Sequence, residues 1–88
     1  MNQLVTFDTA ILRQLVRVGK AGELVAKGVP GGFVLAMRDG LDEQVLKAQR
    51  GGARKFKRLE TLAGFLQDLG AHRFEVELEQ WTPSSLSV

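Results

Sequence analysis

The side chains able to do chemistry are few in this chain, and their spacing argues against most reactions. A single histidine, His72, follows Gly70 at the mouth of the last expected strand, and the chain has no cysteine and no second histidine to complete a metal site with it. It reads as a surface loop residue. The serines sit only at Ser84, Ser85 and Ser87, in the C-terminal tail, away from any base and outside any strand-turn-helix elbow, which disfavours a hydrolase. The carboxylate groupings are Asp42-Glu43 and Glu75/Glu77/Glu79. Acid–base work needs two carboxylates in different, partly desolvated environments, whereas alternating glutamates make a solvated strand face or a docking surface for a basic partner. Gly31-Gly32 and Gly51-Gly52 lack the spaced glycines and the Lys-Ser/Thr that cradle a nucleotide, so they read as turn glycines. No catalytic residue, metal or cofactor is expected.

The segment from 47 to 58 is different. It holds Lys47, Arg50, Arg54, Lys55, Lys57 and Arg58, with two glycines and no acidic residue. A net charge of +2 hides this local excess. A glycine-flanked basic loop can lie along a phosphate backbone, its cations displacing counterions and the N–H groups of Gly51 and Gly52 donating to phosphate oxygens. An acidic protein surface is an equally chemical alternative, and a solvated loop is the plain one. Phe56 within the run reads as a core residue and Trp81 as the closure of one end of the core, with base stacking and an interface anchor as their other roles. Arg13, Arg17 and Lys20 would widen the basic patch if the fold brings the first helix round to it.

The elements that must hold these residues are legible from periodicity. Leu4, Val5 and Phe7 form a short extended lead-in, and Asp8 or Thr9 can cap a helix with apolar face Ile11, Leu12, Leu15 and Val16, stopping between Gly19 and Gly22. Short runs rich in Val, Leu and Phe then predict a meander: strands over 24–27, 33–38 and 44–48, with 54–57 as a fourth strand or the approach to the next helix. Leu59, Leu62, Leu66 and Leu69 repeat at helical steps up to Gly70. From 73 to 80 the pattern alternates, which predicts Phe74, Val76 and Leu78 facing the core and Arg73, Glu75, Glu77 and Glu79 facing solvent. The expected fold is α+β, in the order α-β-β-β-(β)-α-β: an antiparallel sheet of three to five strands with two helices packed on one face and the other face free.

The bulk properties agree with one small globular domain over 1–81 and a polar tail over 82–88. The absence of cysteine fits a reducing compartment. The first residues lack a basic-then-apolar leader, and no stretch approaches the ~18 apolar residues of a membrane span, so a cytoplasmic location is expected, with no membrane partner.

Five segments together carry a family resemblance: Leu12-Arg13-Gln14-Leu15, Gly31-Gly32-Phe33-Val34, Ala48-Gln49-Arg50-Gly51, Phe56-Lys57-Arg58-Leu59-Glu60-Thr61 and Arg73-Phe74-Glu75-Val76. They resemble the ParC-type partition-associated proteins, small bacterial proteins encoded on plasmids and other mobile elements beside a ParA-type ATPase and a ParB-type centromere-binding protein. The resemblance implies a non-enzymatic accessory role in plasmid segregation, through the ParA- or ParB-type proteins, through DNA, or through both. It brings no catalytic residues. A homodimer formed through an open sheet edge is a further expectation.

Overall fold

Asp8 separates the first strand from the first helix in the computed structural model, which describes residues 5–83. Its backbone is extended and its side chain accepts a 2.8 Å hydrogen bond from the Ile11 N–H, satisfying one of the donors a helix start leaves open. Strand β1 (Thr6–Phe7) therefore hands directly to α1 (Thr9–Arg17). The chain continues as β2 (Glu23–Val29), β3 (Gly32–Asp39), β4 (Asp42–Leu46), β5 (Lys55–Phe56), α2 (Leu59–Asp68) and β6 (Glu75–Glu77).

Both helices end the same way. Gly19 and Gly70 take positive φ, and the residue after each donates its N–H back to a carbonyl in the last turn, Lys20 to Leu15 at 2.8 Å and Ala71 to Leu66 at 3.0 Å. This is the Schellman arrangement that the glycine stops predict.

Among the described residues the sheet has six strands, in the order β1-β4-β3-β2-β6, with β5 also paired to β3. It is mixed, which corrects the expected antiparallel sheet of three to five strands. The central pairs β2/β3, β3/β4 and β3/β5 are antiparallel, but β1 pairs β4 and β6 pairs β2 in parallel. Only β3 runs against the other five. The physical reason is connectivity: α1 and α2 are crossovers, and a crossover returns the chain parallel to the strand it left. The turn residues that make the central meander legible say nothing about two edge strands of two and three residues.

Both helices pack on one face, as expected. Leu12 of α1 and Leu62 and Leu66 of α2 are buried against Leu24, Ala26, Phe33, Leu35, Met37, Leu46 and Phe56. Of the predicted face of α1, Leu12 is buried and Leu15 and Val16 are half-buried, whereas Ile11 is exposed. Trp81 closes one end of this core by stacking on Phe33, with ring centroids 5.8 Å apart. It passes so close to β2 that a Cβ on Gly28 would lie 2.4 Å from the Trp81 Cβ; only glycine fits there.

The last strand departs from its pattern. Phe74 packs against the core, but Val76 and Leu78 are 39% and 56% exposed, and the strand spans only Glu75–Glu77. Alternation decides which side of a sheet a residue takes, not whether anything covers that side, and at this edge little does. Thr82, assigned to the tail by sequence, forms a bridge with Pro30, while its carbonyl accepts from the Gly31 N–H at 2.7 Å. Residues 84–88 of the tail with its serines, and Leu4, lie outside the described residues.

Candidate functional site

Strands β4 and β5 pair with the same edge of β3 in the same direction, Val45 opposite Ala36 and Lys55 opposite Val34. They are one line of strand interrupted by the excursion 47–54. The excursion closes at its base, where Lys47 bridges Ala53 and the Arg54 N–H donates to the Leu46 carbonyl at 2.8 Å. Within it Ala48 donates to Gly52 and Gly51 donates to Ala48. The Gly51 N–H is thus spent inside the loop, contrary to the expectation that both glycines present donors to a phosphate.

This excursion, β5 and the start of α2 carry all six predicted cations, each exposed. They form one flank but do not point one way. Ala53 packs against the helix-free side of the sheet, so by alternation Lys47 and Lys55 project on that side. Arg54 projects on the other, its guanidinium carbon 4.5 Å from the Phe56 ring centroid and 5.1 Å from that of Phe65. Phe56 is 3% exposed and belongs to the core, which leaves no face for a base to stack on.

Lys57 and Arg58 stand at the amino end of α2. Arg58 occupies the N-cap position and makes no side-chain cap bond, where Ser, Thr, Asp or Asn would serve the helix best. A cation at the positive end of a helix has the unfavourable sign. Lys20, by contrast, lines a groove with Asp39 and Asp42 and does not join this flank. None of the six cations is in an ion pair among the described residues.

The carboxylates divide. Glu43 accepts from Lys27 Nζ at 2.7 Å and lies 3.5 Å from Arg38, while Arg38 donates to Glu77 at 3.0 Å. The Lys27 ammonium, through its hydrogen bond first and Arg38 after it, holds the Glu43 carboxyl below its ordinary value. The hydrogen bond to Glu77 leads the upward shift of Arg38. This four-residue network spans the helix-free face over Val25, Ala36 and Val45, which are 0%, 0% and 9% exposed. Glu77 is therefore half-buried and paired, not solvated as its alternation predicts, whereas Glu75 and Glu79 are exposed. Sequence reading missed the network because its members are far apart in the chain; the alternation of Lys27 and Arg38 with apolar neighbours was the available signal.

His72 is exposed in the loop after α2 and lines a groove of about 710 Å³ with Glu60, Ala63, Gly64, Gln67 and Phe74. No group of three His, Cys, Asp or Glu side chains able to hold a metal occurs among the described residues, and no helix there is long and apolar enough to cross a membrane.

Fold and surface together define a small α+β domain whose distinguishing chemistry lies in the distribution of charge over its flanks. The chain belongs to the ParC-like family, whose model matches residues 7–85. Comparison with curated proteins gives no match, and comparison with solved structures gives none either.

Proposed function

We propose that this ParC-like protein is a non-enzymatic accessory factor of plasmid partition, acting in the cytoplasm by binding the ParA- or ParB-type proteins of the segregation machinery. The observation that supports this reading is the separation of charge across the sheet. Six cations without a carboxylate partner among the described residues occupy the flank of β5, and Glu75 and Glu79 lie exposed at the opposite edge. Such a domain can engage partners of opposite charge without a catalytic cleft. Arg58 at the α2 N-cap supports a binding role for the basic flank, because it stands at a position where its charge disfavours the helix. Calorimetry of the purified chain with each neighbouring partition protein at about 0.15 M salt should show a stable complex with one of them. No heat and no co-purification with either overturns the proposal.

A second reading, direct DNA binding by the basic flank, is favoured by the exposure of Lys47, Arg50, Lys55, Lys57 and Arg58 along one stretch from the 47–54 excursion through β5 to the start of α2. Contact of all six cations with phosphates would make log K fall with log salt at a slope of about −5. The variant R50E/K55E/K57E should abolish such binding. Arg54 is best left in place, since its stacking on Phe56 and Phe65 mixes packing with charge. Unchanged affinity in the triple variant removes the loop from DNA recognition.

A further inference from the structure

Among the described residues strand β6 ends the sheet: β2 lies on one side of it and no strand on the other. Its outward backbone groups are a template for one more strand. Val76 and Leu78 are exposed at this edge; Val76, opposite the core residue Ala26, takes the helix-covered side by alternation with Phe74, and Phe74 lines a groove against α2. Gly64 lines that groove from the middle of α2, yet a Cβ there would meet nothing within 4 Å. A mid-helix glycine weakens a helix, and no neighbour among the described residues requires this one.

On the other side of the same edge stand Glu75 and Glu77, opposite Val25 and Lys27 of β2, with the exposed Glu79 just beyond. A strand laid beside β6 would thus place one row of side chains toward Phe74, Val76 and the groove, and the alternate row toward carboxylates. A second copy of β6 does not meet this requirement, because it would set glutamate against glutamate.

We infer that the β6 edge takes an extended segment of a partner protein as an added strand, with apolar side chains alternating with lysine or arginine. This rests on the partner-binding reading above and names the surface used. The test is selection of a displayed random ten-residue peptide library on the full chain, followed by affinity measurement of the best peptide. Alternating basic and apolar sequences are expected. E75K/E79K should weaken that peptide at least tenfold and shift selection toward acidic alternation. Gly64→Leu should leave or raise the melting temperature while weakening the peptide at least tenfold, a separation that a purely structural role for Gly64 would not produce. Failure to select peptides, selection without alternation, or full affinity in Gly64→Leu overturns the inference. A partition protein that still binds E75K/E79K and Gly64→Leu at wild-type affinity overturns this surface and leaves the accessory role standing, whereas a wild-type chain that selects alternating peptides but binds neither neighbour keeps the surface and loses that role.

Discussion

The two faces of the sheet share one backbone and bury their apolar residues by different means. The helix-covered face uses large side chains, Phe33, Leu35, Met37 and Leu46, interlocked with Leu12, Leu62 and Leu66. The uncovered face buries the smaller Val25, Ala36 and Val45, with Ala53 packed against them, and these three are almost as inaccessible. Their roof is made of long charged side chains, Lys27, Arg38, Glu43 and Glu77, whose stems lie over small apolar residues while their heads pair in partial contact with water. Burial on one face is a matter of packing; on the other it depends on a polar lattice that salt and pH can reach.

The sharpest test of that contrast compares Leu35→Ala with Val45→Ala. Removing the leucine should cost about 2–5 kcal/mol in urea unfolding, and truncating the valine about 1–2 kcal/mol. Equal losses would break the comparison. Next in size, Gly28→Ala should destabilise by about 1–3 kcal/mol, because the new methyl meets Trp81. Tryptophan fluorescence should shift as the indole is displaced from Phe33.

Arg58→Asp sharpens the contrast between stability and binding. Supplying α2 with a side-chain cap should stabilise the fold by about 0.5–1 kcal/mol, while weakening any polyanion bound at the basic flank.

The smallest effect belongs to the roof. Lys27→Met should cost no more than about 1 kcal/mol, because the pair is partly exposed and screened. The sign of its pH dependence is fixed: Glu43 is held below its ordinary value of 4.5, so its contribution is complete above that pH and is lost as the pH falls through the folded value. Glu43→Gln and the wild type should therefore differ in stability at pH 7 and converge in acid. A difference that persists unchanged to the acid limit of the folded state would assign the burial of Val25 to packing alone.

Much of this architecture was legible in the sequence because its signals are local. Asp8 before an apolar repeat, Gly19 and Gly70 after one, and the turns that link β2, β3 and β4 each specify their own few residues. The parallel edges were not legible, because Thr6 pairing with Val45 and Val76 with Ala26 are decided by where two crossovers deposit the chain. The six cations could be read as a run, but not that Arg54 turns away to cover Phe56 while Lys55 emerges on the other side. Nor does alternation reveal that Glu77 is claimed by Arg38, thirty-nine residues away.

The closed base of the 47–54 excursion has an evolutionary consequence. Because Lys47–Ala53 and Arg54–Leu46 complete the strand line beneath it, the residues between can be lengthened, shortened or rewritten without disturbing the pairing of β3. Relatives of this chain could diversify this one short insert and retain the same domain. It is equally the natural position for grafting a foreign epitope.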